Sequence, residues 1–220
     1  MKKVLQVLAI DDHGVVLEGY HSIFRAIVEE QTELRFIRAI DCKSAYEQIL
    51  KHSQDPFEIA VIDYSIPQFA EKELYSGEDM AVMIRQQMPS CKVVMMTMHK
   101  EVDIIGRILD KIDPEGFINK SDCTTQDLID GFTSILSGGV YYSKVVSSFR
   151  KKHSQGIALD ETDIQIIRLL ANGVRNKSLD RYIPLSNSGI EKRKYRIKRL
   201  LEVDGDDEDL INEARRQGYI

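Results

Sequence analysis

Asp63 closes the apolar run Ile59-Ala60-Val61-Ile62, and Pro67 turns the chain soon afterwards. That pattern predicts a buried strand with a carboxylate at its carboxyl edge, the edge at which open α/β sheets bind ligands. A single Asp there could equally cap the next helix. Three other predicted strand ends narrow the choice. Asp11-Asp12 follow the first strand, Thr97 lies at the end of the fourth and Lys120 follows the fifth. Three crowded carboxylates repel one another unless a cation sits among them, and hard oxygen donors suit Mg²⁺. A metal so placed can bridge a carboxylate and an incoming phosphoryl group. Phosphoryl transfer asks mainly for positioning and charge neutralisation. In that chemistry Asp63 is the nucleophile. Lys120 balances the phosphoryl oxygens, and the Thr97 hydroxyl donates a hydrogen bond to one of them.

The elements that must hold this rim alternate. Apolar runs predict strands over residues 4–10, 34–40, 57–63, 91–98 and 116–119. Helical spacing predicts helices over 14–30, 44–52, 77–88, 102–109 and 124–136. Such alternation implies a parallel sheet with right-handed crossovers, a doubly wound α/β domain over residues 1–140. Residues 141–158 change texture, with Lys, Ser, His and Gly dominating from Ser147 to Gly156, and read as a linker in which part helical structure is left open. Residues 159–220 are all helical. Asp160 or Thr162 opens a helix that Asn172-Gly173 closes, and further helices are expected over 176–182, 187–201 and 209–216.

Composition is that of a globular protein with real cores: 220 residues, 43% apolar and 30% charged. The net charge of -5 argues against coating by nucleic acid along the whole surface but leaves room for a local basic patch. Cys42, Cys91 and Cys123 match no zinc or redox spacing and read as reduced thiols of a cytoplasmic protein. The basic start Met1-Lys2-Lys3 leads into an apolar run that meets two aspartates at once, so it reads as a strand and not a signal peptide. No apolar stretch approaches the roughly 20 residues of a membrane span.

The basic patch is in the third helix of the C-terminal region. Lys192, Arg193, Lys194, Arg196, Lys198 and Arg199 fall between Ser186 and Leu200 with one acid, Glu191. Ile190, Ile197 and Leu201 form an apolar stripe on one side. A helix packed on one side and cationic on the other has the profile of one laid against phosphates, or of a plain solvated face.

Residues 4–136 resemble the receiver domain of two-component response regulators. The matching residues are Asp11-Asp12, Asp63 with Pro67, Thr97 in Val-Val-Met-Met-Thr-Met-His and Lys120 in Gly-Phe-Ile-Asn-Lys-Ser. The resemblance implies a CheY-like (flavodoxin-like) five-stranded parallel sheet. It implies that Asp12 binds Mg²⁺ directly, Asp11 largely through water, and that Asp63 and the Ser65 backbone carbonyl complete the shell. The phosphoryl donor would be a phosphohistidine on a sensor histidine kinase. Phe117 matches the aromatic that such receivers reorient with Thr97 on activation; an ordinary core aromatic is the competing reading. The loop 68–76 is longer than is usual in the family and could gate the site or be a solvated insertion.

Residues 159–220 resemble the LuxR-type helix-turn-helix of the NarL/FixJ regulators, a small all-α four-helix domain. Leu169-Leu170-Ala171-Asn172-Gly173, Asn176-Lys177, Leu185-Ser186, Ile190, Ile197 and Leu201 fit it. Asp180, Gly189 and Arg193 depart from it, and these departures bear on which DNA sequence is read. By that resemblance Glu191, Lys192 and Tyr195 face base edges, and Ser186, Arg193, Lys194, Arg196 and Arg199 belong to the same DNA-binding face, mostly on phosphates. Such modules bind double-stranded DNA as homodimers. The last helix, with Leu210, Ile211 and Ala214 on one face, is a candidate dimer contact or packs within its own domain.

The expectation is therefore a cytoplasmic response regulator, phosphorylated on Asp63, that controls transcription and is not a turnover enzyme. Two rivals are a phosphorylation-independent regulator and a Mg²⁺-dependent phosphatase. The second would want an Asp where Ser65 stands.

Overall fold

The computed structural model describes residues 3–154 and 159–220, and the side-chain surroundings of all of these except residues 103 and 152–154. Residues 155–158 of the expected linker, and Met1 and Lys2, lie outside the described residues. The chain divides into two units: residues 1–99 with 107–146, and residues 100–106 with 147–220.

The first unit is built on a parallel sheet. Its strands are β1 (Lys3–Ile10), β2 (Thr32–Ala39), β3 (Ile59–Asp63), β4 (Lys92–Thr97), β5 (Gly116–Asn119) and β6 (Tyr141–Tyr142), in the order β2-β1-β3-β4-β5-β6. All five residues of β3 are buried, as are the last five of β4, because helices cover both faces. The sheet thus has six strands, not the expected five. Tyr141-Tyr142, expected in the linker, pairs with Gly116 and Phe117 of β5 instead. The pairing satisfies backbone groups that an edge strand would leave to water.

The helices of this unit are α1 (Gly14–Ile27), α2 (Cys42–Lys51), α3 (Gly77–Gln87) and α5 (Thr125–Leu136), with α4 (Val102–Ile112) from Arg107 onward, and α6 (Lys144–Ser154) starts from it. Leu17, Tyr20, Ile23 and Phe24 recur at helical spacing and give α1 its buried stripe. Phe24 stacks on Phe132 of α5 with ring centroids 4.8 Å apart. Each such fully buried apolar side chain stabilises the fold by roughly 1.5–3 kcal/mol. Asp41, Ser76 and Thr124 open α2, α3 and α5 through capping boxes. Gly77 is required where it stands, because a Cβ there would collide with the carbonyl oxygen of Asp63. Cys42 and Cys91 are buried free thiols, and burial pushes the Cys91 thiol up to about 12.

The second unit carries α7 (Glu161–Ala171), a 3-10 segment (Asn176–Arg181), α8 (Asn187–Leu200) and α9 (Asp207–Arg216). The second of the four expected helices is therefore a 3-10 segment. Asp160 caps α7 in a capping box. Gly173, at φ +79, closes α7: its N–H bonds to Leu170 and that of Val174 to Leu169. Leu159, Ile164, Ile167, Leu179, Ile190, Ile197 and Leu210 are buried. Leu210 and Ala214 of α9 are fully enclosed within this unit, where α9 packs on α7. Among the described residues no helix is long and apolar enough to cross a membrane.

Candidate functional site

Asp11 follows β1, Asp63 ends β3, Thr97 ends β4 and Lys120 follows β5. In a parallel sheet these termini share one edge. Asp11 and Asp63 are 0% and 5% exposed. The Lys120 ammonium lies 2.7 Å from Asp11 Oδ2 and 3.0 Å from Asp63 Oδ2, so it bridges two buried carboxylates. Burial holds the Asp63 carboxyl above its ordinary range; Lys120 pulls it down, and Asp11 and Asp12 push it further up. Thr97 Oγ1 accepts from the His99 N–H at 2.9 Å, which leaves the hydroxyl hydrogen to donate. Phe117 is fully buried.

His13 joins this rim. Its N–H donates to Asp11 Oδ1 at 3.0 Å, and its Nδ1 lies 2.7 Å from Asp12 Oδ1. The ligand atoms of Asp11, Asp12 and His13 lie within 4.8 Å of one another. The expected ligand set is Asp11, Asp12, Asp63 and the Ser65 carbonyl. The structure gathers the first two with His13 and joins Asp63 to Asp11 through Lys120. The sequence signal for His13 is its position directly after two aspartates. Ser65 follows Asp63 by two residues, and its Oγ lies 3.3 Å from His99 Nε2.

The loop 68–76 is not a loose insertion. Phe69 and Leu74 form an antiparallel bridge around a 3-10 turn, Ala70–Lys72, with Glu73 in the left-handed region at φ +55. The Phe69 ring meets Tyr46 of α2 edge-on at 6.0 Å, with Lys43 Nζ 5.9 Å from the Phe69 centroid.

On α8 the cations divide into two groups. Lys194 is 6% exposed, and its Nζ donates to Asn176 Oδ1 and Asp207 Oδ2, each at 2.8 Å. Arg193 donates to Asp160 Oδ2 at 2.6 Å and to Asp163 Oδ1 at 2.8 Å. Arg196 reaches Asp163 Oδ2 at 2.6 Å. Burial raises the Asp160 carboxyl, but the Arg193 hydrogen bond, the Asp163 N–H and the charges of Arg193 and Arg196 together leave the group below its ordinary value. Arg193, Lys194 and Arg196 were expected on DNA phosphates; they are engaged in ion pairs within their own unit. For the two arginines the reason is that Asp163 is fully buried and needs compensating charge; Lys194 is itself buried and is held by Asp207 and Asn176. Ser186, also expected on DNA, is the N-cap of α8 and accepts from the Gly189 N–H at 3.2 Å. Glu191, Lys192, Tyr195 and Arg199 remain exposed. Their spacing puts them on one face of the helix.

A family model for the response regulator receiver domain matches residues 7–131. The chain belongs to the response regulator receiver family. UvrY of Escherichia coli strain K12 is 22% identical over 98% of this chain and 95% of its own length. The oxygen regulatory protein NreC of Staphylococcus haemolyticus is 23% identical over 90% of this chain and 92% of its own. The solved structure of RcsB from Salmonella typhimurium has the same fold, with a TM-score of 0.66 at 22% identity, covering 96% of this chain and 99% of that one. RcsB from Salmonella enterica serovar Typhimurium, described as bound to promoter P1flhDC in the presence of the phosphomimetic BeF3-, gives a TM-score of 0.61 at 23% identity over 95% and 97%.

The receiver's acid rim suits a divalent cation. Asp11, Asp12 and Asp63 bring three carboxylates to a site where Lys120 is the bridging ammonium. Their oxygens are hard donors, and the net negative charge favours a small divalent ion.

Proposed function

We propose that this chain is a two-component response regulator, with Asp63 accepting a phosphoryl group and the C-terminal unit binding double-stranded DNA to control transcription. The observation that carries the reading is the Lys120 ammonium held between the buried Asp11 and Asp63 carboxylates. An Asp63 carboxylate oxygen attacks phosphorus, the bond from phosphorus to the imidazole nitrogen of a phosphohistidine breaks, and the electron pair leaves with that imidazole. Lys120 balances the phosphoryl oxygens, and the Thr97 hydroxyl donates to one of them. Asp11 and Asp12, with Asp63 and the Ser65 carbonyl, would hold Mg²⁺, which supplies charge neutralisation and orientation when bound. The donor is a sensor histidine kinase, and the setting is the cytoplasm. Phosphorylation shifts an existing equilibrium in which Thr97 and Phe117 are the moving groups. The receiver takes one phosphoryl group and is not a turnover enzyme; Ser65 stands where a phosphatase of the competing kind would place a second Asp.

Glu191, Lys192, Tyr195 and Arg199 form the DNA face of α8, and a homodimer reads two half-sites. Lys192→Ala with Arg199→Ala is expected to weaken binding to duplex DNA fragments at least about tenfold. It should also flatten the dependence of log K on log salt by about one unit for each phosphate no longer neutralised. Fluorescence anisotropy across a salt series measures both. An unchanged slope would reject this face.

A further inference from the structure

Asn119 stands immediately before Lys120, and it is fully buried. A buried amide is costly unless its donor and acceptor are both used, and here they are. Asn119 Nδ2 donates to the His99 carbonyl at 2.6 Å, and Oδ1 accepts from the Ser121 N–H at 3.0 Å and the Ser121 hydroxyl at 2.6 Å. The side chain therefore ties the loop after Thr97 to the turn that carries Lys120. In the sheet, Asn119 is also the direct register partner of Thr97.

The backbone of Asn119 makes a different connection. Its N–H donates to Ser143 Oγ at 3.0 Å, and Ser143 is itself 3% exposed. The Ser143 N–H donates to the Phe117 carbonyl at 3.1 Å. One residue into the first turn of α6, the Val145 N–H donates to Asp122 Oδ2 at 2.9 Å. Asp122 sits in the Lys120 turn and caps α6 from another element, supplying an acceptor to a helix N-terminus that would otherwise lack one. The other oxygen, Asp122 Oδ1, is buried with no hydrogen bond of its own, so Oδ2 carries the cap. The segment leaving the receiver is thus clasped to Phe117, Asn119 and Asp122, on either side of Lys120.

We propose that Asn119 and Ser143 form a positioning link through which the state of the Asp63 pocket is passed to the start of α6. The link rests on the reading of Asp63 as phosphoacceptor. When a phosphoryl group draws Lys120 from its bridging place, the Asn119–Lys120 peptide moves with it. Movement there lengthens the bond to Ser143 and shifts the Asp122 cap, and the first turn of α6 loosens. Asn119 is a positioning residue in this scheme, because it touches neither phosphoryl group nor metal.

Hydrogen exchange of the full chain, with and without acetyl phosphate and Mg²⁺, tests the link, with intact mass recording phosphoryl uptake in the same samples. In the wild type, amides in residues 141–146 should exchange several-fold faster once mass is gained. Ser143→Ala and, separately, Asp122→Ala should gain mass as the wild type does, while exchange over 141–146 is already fast and no longer responds to the donor. A wild type that gains mass with unchanged exchange over 141–146 would overturn the link, and so would variants that respond as the wild type does. A wild type that never gains mass would overturn the phosphorylation reading itself and the link with it.

Discussion

Asp63→Asn abolishes phosphoryl uptake. The amide keeps the size of the carboxyl group and loses the anionic oxygen that attacks phosphorus. Lys120 keeps Asp11 as a partner, so the pocket does not collapse. The variant is also expected to fold at least as stably as the wild type in metal-free buffer, and the sign follows from burial. Burial raises the Asp63 carboxyl in the folded state, so its proton contributes stability below the ordinary carboxylate range. That stability is lost as pH rises through the raised folded value. At neutral pH the wild type carries a buried carboxylate beside Asp11 and Asp12 that the Asn variant lacks. Intact mass after incubation with acetyl phosphate and Mg²⁺ measures the first effect, and a thermal melt at pH 7 the second. Uptake at the wild-type rate would reject Asp63 as the acceptor.

Asp163→Ala is expected to destabilise the C-terminal unit by about 3–5 kcal/mol, the range found when one partner of a buried ion pair is removed. Asp163 is fully buried and receives both Arg193 and Arg196. It also accepts the Asp160 N–H as the third residue of the α7 capping box. Truncation removes the buried carboxylate that both guanidinium groups share, and it opens the cap. A loss of that size is a large share of the roughly 5–15 kcal/mol that holds a typical domain. Urea unfolding followed by circular dichroism measures it. A change below about 1 kcal/mol, the level of an exposed pair, would show that the ion pairs around Asp163 are not structural.

Much of this architecture is legible from residue types. The apolar runs that end in Asp63 and Thr97 become β3 and β4, and the four strand termini do gather the carboxylates and Lys120. What the sequence conceals is pairing between distant residues. Arg193 and Lys194 look like solvated cations because their partners, Asp163 and Asn176, lie in other elements of the unit. The two-residue strand at Tyr141 is too short to show a period and exists only because β5 offers it an edge. Helix starts shift for a related reason. α9 begins at Asp207, before the expected Asp209, since Asp206 supplies the cap and accepts from both Glu208 and Asp209. The Asn119 side chain gives no sequence signal at all, because an amide in a strand reads as polar until its three partners are placed around it.

The most direct measurement of the central claim is a genome-wide footprint of the purified chain on sheared genomic DNA, with and without acetyl phosphate and Mg²⁺. The account predicts discrete occupied sites whose occupancy changes when Asp63 carries phosphate. Occupancy that is the same in both conditions, with phosphoryl uptake confirmed by mass, would contradict it.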